Sequence, residues 1–429
     1  MRIAVIGFGF SGLMATVNLV REAKAPLTIY IIDDSSAGFG TAYSTTNPDH
    51  LLNVRSDNMS AFADAPDNFV NWLSRNETTR HYTPDDFVPR KIYGNYLQSI
   101  WRDTQRLAAE KQIELKLVPS RATAIQPDKA ILTERGDAIA VDTIILATGH
   151  EMKPVLPEIK SPTIVQNPWA PDAFKDASGW LSPVLLIGTG LTAIDMVLSL
   201  RRAGYTGAII ATSRSGALPQ VHAAPTAICS FNADELEKKS LSKLLRLLRK
   251  KIAATGDWRS TVDALRSYTQ TLWQRLSTYQ QQKFIARLLS RWNNHRHRMA
   301  PEIAERIQSE IAAGTVRIIA CKKLDSTLQS DTVTIIANNE AFNPSRIINC
   351  TGLELNLARS NNTLLKQLAA NGFVEPHATG LGIAVDIQYR AWGALYPHLY
   401  AMGSLLTGQL LESTAVPELR VQAAAVAKQ

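Results

Sequence analysis

The sequence is poor in cysteine, in long apolar runs and in low-complexity segments, and each shortage closes a class of function. Its three cysteines, Cys229, Cys321 and Cys350, lie far apart in 429 residues, with no Cys-x-x-Cys pair and no Cys/His spacing suited to zinc. That argues against a dithiol redox centre, gives no metal site, and points to a reducing compartment, taken here as the cytoplasm. No stretch reaches the roughly 20 apolar residues of a membrane span. The apolar start after Arg2 mimics a signal peptide, but it carries glycines at helix-entry spacing and lacks a small-residue cleavage pattern. Lys and Arg number 46 against 38 Asp and Glu, a formal charge of +8, yet no basic block is interleaved with aromatics as a nucleic-acid groove requires. With 45% hydrophobic and 20% charged residues, the chain is globular and long enough for more than one domain.

What is present is the same turn written twice. "IAVIGFGFSGL" at Ile3 and "LLIGTGLTAID" at Leu185 each run an apolar strand into Gly-x-Gly and then into an apolar helix. Glycines there let the backbone bend sharply and approach a pyrophosphate, whose charge rests on the amides opening the helix. Gly7, Gly9 and Gly12 fill the first copy; Gly188 and Gly190 are followed by Ala193 in the second. The ribose should lie at the tip of each second strand. Asp33 stands 26 residues after Gly7 (33 − 7), and Arg214 stands 26 after Gly188 (214 − 188). A carboxylate accepts hydrogen bonds from a free 2′-hydroxyl, whereas a guanidinium pairs a 2′-phosphate. The first site suits FAD or NAD, the second NADPH, with Ser213 and Ser215 as further donors to the phosphate.

These patterns predict an α/β chain of two Rossmann-like dinucleotide-binding domains. The first spans 1–155 and 350–429, and the second, 180–350, is inserted into it. Within the second, a helical insertion is expected over about 234–313, opening with the basic amphipathic "ELEKKSLSKLLRLLRKKI". We read that segment as a solvated basic face over a buried leucine stripe rather than a membrane or partner helix. Further on, "WNNHRHRMAP" offers Arg296 and Arg298 as an anion clamp, although a capping and solvated role is the simpler expectation. His50, His150 and His222 adjoin the cofactor loops, where lone histidines commonly serve as structural hydrogen-bonders.

The pairing of "GFGFSG" with "GTGLTA", with "LATGH" between them, resembles flavoproteins that hold FAD in a first domain and NADPH in an inserted second. "HLLNVRSDNMSAFADAP" and "PRKIYGNYL" are similar to segments of flavin-containing monooxygenases. "GFGTAYS", "HLLNV", "RHRMAP" and "AVPELR" resemble a bacterial FAD-NAD(P)-binding family. The resemblance implies that Gly7, Gly9, Ser11, Gly12, Asp33 and Asp34 hold the FAD diphosphate and ribose. Arg90, Thr148, Gly149, Gly403, Ser404 and the helix opening near Thr414 would complete the flavin site. Gly403-Ser404 stands where many flavoproteins have Gly-Asp, so the usual carboxylate contact is missing. Gly188, Gly190, Thr192, Ala193, Ser213, Arg214 and Gly352 complete the cofactor-binding set.

Asn53 falls where the monooxygenases place an asparagine beside the reactive flavin carbon, and His50 is a second catalytic candidate. What the resemblance then implies is an FAD-dependent, NADPH-using monooxygenase. It would hydroxylate a small metabolite with dioxygen through a flavin hydroperoxide, with amines and purines such as urate among the substrate classes. Two other readings stay open. One is an NADPH-dependent reductase passing electrons to a partner protein or quinone; the other is a non-catalytic redox-sensing binding module. Sequence says nothing of the oligomeric state.

Overall fold

The computed structural model describes residues 1–35, 39–237, 239–329, 332–393, 396 and 398–429. Gly38, which opens the "GFGTAYS" segment, lies outside the described residues.

The chain begins with strand β1 (Arg2–Ile6), helix α1 (Phe10–Glu22) and strand β2 (Thr28–Ile32), a complete βαβ unit. After the long helix Arg90–Glu110 come β3 (Glu114–Val118) and β4 (Thr143–Leu146). A short β5 (Ile164–Val165) precedes β6 (Val184–Ile187), helix α2 (Leu191–Arg202) and β7 (Ile209–Ser213). The remaining sheet strands are β8 (Val316–Ala320), β9 (Arg346–Asn349) and β10 (Leu399–Ala401).

Two five-stranded sheets result, ordered β10-β4-β1-β2-β3 and β8-β7-β6-β9-β5, and every pairing in both is parallel. Parallel strands are covered on both faces, which is why they read as unbroken apolar runs rather than alternating ones. Ile3 to Ile6 and Val184 to Leu186 are accordingly buried. A three-stranded antiparallel meander interrupts each sheet in chain order, Ala122–Ala140 between β3 and β4 and Leu324–Phe342 between β8 and β9. The repeat seen in the glycine turns therefore extends through the whole architecture: β1 and β6 are central, and β4 and β9 pass beside the turns that follow them.

Between β7 and helix Pro301–Ala312 the chain forms helices Leu241–Thr255, Trp258–Ala264, Thr269–Arg275, Thr278–Arg287 and Leu289–Arg296. They pack around Leu244, Trp273 and Phe284 as a small core of their own. Lys243, Arg246, Arg249 and Lys250 of the first helix point to solvent, as its amphipathic pattern requires. The bundle sits against the loop after β10 and the final helix, Val416–Val426: Trp273 Nε1 donates to the Gly408 carbonyl of the loop at 2.8 Å, and Arg266 pairs with Glu418 of the helix at 3.3 Å.

One expectation is overturned at this contact. Arg296 and Arg298 are not solvated caps. The Arg296 guanidinium, with 14% of its side chain exposed, grips the Glu412 carboxylate at 3.0 Å, and Arg298, 3% exposed, pairs with Asp263 at 2.8 Å. Buried guanidinium groups need carboxylate partners to offset desolvation, and these partners come from distant parts of the chain. Among the described residues no helix is long and apolar enough to cross a membrane.

Candidate functional site

Both glycine turns have the same geometry for the same steric reason. At Gly7, φ is +98°, and a Cβ would lie 2.4 Å from the carbonyl oxygen of Ala147 as the chain leaves β4. At Gly188, φ is +124°, and a Cβ would lie 2.1 Å from the carbonyl oxygen of Cys350 beyond β9. No side chain fits either place, and the left-handed backbone favours glycine in any case. Gly7 N–H donates to the Ile32 carbonyl (2.9 Å) and Gly188 N–H to the Thr212 carbonyl (2.7 Å), tying each turn to the second strand of its unit.

The next glycine behaves differently. Gly9 and Gly190 are the N-caps of α1 and α2, and neither cap offers a side-chain acceptor to the free amides of the first helical turn. Gly9 faces Gly40 across an ordinary contact of 3.7 Å from its notional Cβ, and nothing lies within 4 Å of a Cβ at Gly190. Unpaired amides over open backbone form an anion cradle. Ala193 is 2% exposed and packs where Gly12 sits in the first copy.

Around the first turn several expected residues converge. A Cβ at Gly403 would come 2.9 Å from Ser11 Oγ, and one at Gly149 would come 4.0 Å from Ser404 Oγ. Thr148 bonds the carbonyl of Gly149, and the Ser404 carbonyl lies 3.2 Å from His150 Nε2. Asp33 reaches back to this turn: its carboxylate accepts from Phe8 N–H (2.6 Å) and from Ser35 N–H (2.7 Å). Asp34 is exposed and paired with Arg121 at 2.5 Å. Thr414 is exposed, and the final helix begins at Val416, two residues later than expected, with Ala415 as its cap.

Around the second turn the picture is more selective. Thr192 is half-buried in the first turn of α2, and Gly352 follows β9 with φ of +86°. The Ser213 hydroxyl is spent inside the turn, bonded to Thr189 Oγ1 at 2.8 Å and accepting from Gly216 N–H, so it does not fit the donor role expected for it. Ser215 likewise accepts from Ala217 N–H. Arg214 is exposed, without an ion pair among the described residues, and lines a cleft with Lys322, Lys323 and Asn338. Parallel pairing of Ser213 with Ala320 places Arg214 beside the loop after β8. Asp325, the acidic residue lining this cleft, is neutralised by Lys323 at 2.6 Å. Lys322 was not anticipated; its signal is its position just beyond the third strand of the unit.

A polar cluster joins the two halves. Arg90 Nη2 contacts Asp195 Oδ2 at 2.9 Å, Arg90 Nε donates to the Leu51 carbonyl, and the guanidinium lies 6.0 Å from the centre of the Trp169 ring. The two charged side chains are 15% and 10% exposed. Asp195 escaped the sequence reading, although a lone acid within "LTAIDMVLSL" is a signal that something pairs it. His50 belongs to the same cluster. It is 3% exposed, with Nδ1 bonded to Thr45 (2.9 Å) and Nε2 to Ser199 (2.8 Å), and burial holds its pKa below the usual histidine value. No ring nitrogen is left for a ligand's proton, so the catalytic role expected for His50 gives way to a structural one. Asn53 is half-buried, and its carbonyl accepts from His222 Nε2 at 3.1 Å. Desolvation holds His222 at a pKa of about 4, so it is neutral at physiological pH.

Comparisons with known proteins fit this geometry. A 170-residue stretch is 24% identical to nitrosuccinic acid synthase of Aspergillus oryzae, covering 34% of this chain and 26% of that protein, so the match spans about a quarter of the relative's length. The structure resembles ornithine N-hydroxylase of Kutzneria sp. 744, solved with reduced FAD, NADP+ and L-ornithine, with a TM-score of 0.59 at 15% identity over 99% of this chain and 97% of that one. It also resembles bacillithiol disulfide reductase of Bacillus cereus, with a TM-score of 0.55 at 12% identity over 100% and 98% of the two chains. Residues 4–151 match the FAD-NAD(P)-binding family, and the chain as a whole has the α/β fold of flavoproteins with two dinucleotide-binding units.

Proposed function

We propose that this protein is an FAD-dependent, NADPH-using monooxygenase acting on the nitrogen of a small metabolite. The observation that carries the cofactor assignment is the reversal of charge at one position of the repeat, Asp33 in the first unit against Arg214 in the second. The Asp33 carboxylate accepts from Phe8 N–H on Oδ2 and from the Ser35 N–H and hydroxyl on Oδ1, which keeps a lone pair on Oδ2 for a ribose hydroxyl, and its charge would repel a 2′-phosphate. Arg214, exposed beside Lys322 in a cleft whose acid is already neutralised, suits a 2′-phosphate. Gly9, which faces the backbone of Gly40, and Gly149, whose nearest neighbour is the Ser404 hydroxyl, keep side-chain bulk away from the space in which the diphosphate and ribityl portions of FAD would lie.

When bound, FAD supplies two-electron storage between the nicotinamide and the final acceptor, and the chain's residues align and shield it. The free amides following Gly9 would hold the diphosphate. Arg90 fixes the loop carrying Asn53 through its bond to the Leu51 carbonyl, and neutral His222 clamps the Asn53 carbonyl from the other side. With its backbone held at both points, the Asn53 amide would stay available to hydrogen-bond the reacting group. The helical bundle over the loop after β10 would exclude water, limiting loss of oxidising equivalents as hydrogen peroxide. Relatives named for an N-hydroxylase and for a product with an oxidised nitrogen support a nitrogenous substrate.

The test is dioxygen consumption by the FAD-loaded protein with NADPH, against a panel of amines, amino acids and purines. Stimulation by a panel member without matching peroxide release supports the proposal. Turnover only with an added quinone or redox-protein acceptor replaces it with a reductase. No turnover under either condition replaces it with a binding module.

A further inference from the structure

The helical bundle carries a charged face that neither glycine turn uses. Its long helix Leu241–Thr255 has 15 residues, "LSKLLRLLRKKIAAT", with five Lys or Arg and no acid. Lys251 is paired with Glu235 at 3.1 Å. Lys243, Arg246, Arg249 and Lys250 are exposed over successive turns and have no carboxylate partner among the described residues. The acids nearest in sequence do not balance them: Glu235 is held by Lys251 and Glu237 by Arg275, which leaves the exposed Asp234. Like charges three and four residues apart on a helix repel one another, and an anionic surface laid against them relieves that repulsion.

Exposed apolar side chains stand at both ends of this strip. Beside its C-terminal end, Lys251 Nζ donates to the Ser230 carbonyl at 2.9 Å, and Thr226 N–H donates to Asp257 just past the helix at 2.9 Å. The loop held by these two bonds carries Ile228, 97% exposed. At the other end, Ser240, the helix cap, shares a cleft with Gln280. Its neighbour Tyr279 is largely exposed, with the Lys283 ammonium 4.3 Å from the ring centre. The helix leucines are not available in their place, because Leu241, Leu244, Leu247 and Leu248 pack into the bundle's own core. A protein partner would need a shaped, apolar centre to desolvate, and single-stranded nucleic acid would need a row of aromatics. Cations along about 22 Å of helix with apolar side chains at the two ends suit instead a fluid anionic surface, which requires no shape match.

We propose that this face docks the protein reversibly on an anionic phospholipid bilayer, with Lys243, Arg246, Arg249 and Lys250 over the head groups and Ile228 and Tyr279 entering the interface. The basic face is solvated in the free protein, as its sequence pattern implies, and exchanges that water for lipid head groups on docking. The proposal stands independently of the redox reaction.

The experiment is co-sedimentation of the full-length protein with vesicles of phosphatidylcholine alone or mixed with phosphatidylglycerol. The expected result is binding to the mixed vesicles only, weakening as added salt screens the head groups. Each cation near such a surface contributes about fivefold in affinity, so Lys243→Gln, Arg246→Gln and Arg249→Gln together should weaken binding about a hundredfold. Ile228→Ser should weaken it at least about threefold, and this loss should persist when the salt is raised. The same number of charges removed elsewhere, by Lys24→Gln, Arg102→Gln and Arg135→Gln, should leave binding within about twofold of the parent. All six positions are exposed, so both triple variants should melt like the parent. Equal binding to the two kinds of vesicle, no binding to either, or equal losses in the two triple variants would overturn the proposal. So would association with polyglutamate or duplex DNA as tight as with the mixed vesicles and equally sensitive to the first triple substitution, which would make the face a site for a polyanionic macromolecule.

Discussion

Changing Arg214 to Ala isolates the 2′-phosphate from everything else that a nicotinamide dinucleotide touches. The guanidinium is exposed, has no carboxylate competing for it among the described residues, and shares its cleft with Lys322. A hydrogen bond between charged groups contributes about 1.5–3 kcal/mol, and exposure places this one near the lower end. At about 1.5 kcal/mol, NADPH should lose roughly tenfold in kcat/KM, because 1.4 kcal/mol corresponds to a factor of ten. NADH has no phosphate to lose, so its kcat/KM should stay within about twofold. Lys322→Ala should give a smaller loss for NADPH that shrinks further as salt screens the exposed charge. The assay is cofactor oxidation by the FAD-loaded protein, with each dinucleotide titrated separately. Equal losses for NADPH and NADH would show that Arg214 supports the fold or the shared part of the dinucleotide, and the assignment of the second site would fall.

Three further outcomes follow from other parts of the molecule. Replacing Asp195 by Asn should cost about 2–3 kcal/mol in urea unfolding, since Arg90 is left as a largely buried charge without its partner; Leu at both positions should recover most of the loss. His222 has a folded pKa of about 4 against the usual 6.5, so the unfolded chain takes up the proton first on acidification. Its contribution is fully present above about pH 6.5 and is lost as pH falls towards 4, a drop of roughly 2 kcal/mol by pH 4.5 that His222→Gln should remove from the stability profile. Asn53→Ala should raise the peroxide released per NADPH oxidised, and an unchanged ratio would take that side chain out of the chemistry.

What the sequence revealed of this fold was local in origin. Strand, glycine turn and helix are neighbours in the chain, so "IAVIGFGFSGL" and "LLIGTGLTAID" announced both units, and the position of Arg214 followed by counting. What remained hidden depends on partners far along the chain. His50 reads either as a structural hydrogen-bonder or as a catalytic candidate, and only Ser199, 149 residues on, shows what holds its Nε2. Arg296 reads as solvated until Glu412 meets it across 116 residues. Arg90 was placed near the flavin by resemblance alone, and its salt bridge to Asp195 across 105 residues shows in the pattern only as an unexplained acid on an apolar helix. Ser213 illustrates the reverse error: the right place in the turn, but a hydroxyl already committed to Thr189. Charged and polar side chains reveal their type to a sequence reading, whereas their partners are decided by topology.

The most direct test is the number of dinucleotides held per chain when Gly9 or Gly190 gains a methyl group. A Cβ at either glycine meets no more than an ordinary contact within the protein, so both Ala variants should fold and melt like the parent. The parent should hold one FAD and one NADP+ per chain, with Gly9→Ala losing the FAD and Gly190→Ala the NADP+. Stable variants that retain both molecules, or a parent chain that takes up no flavin at all, would contradict the account.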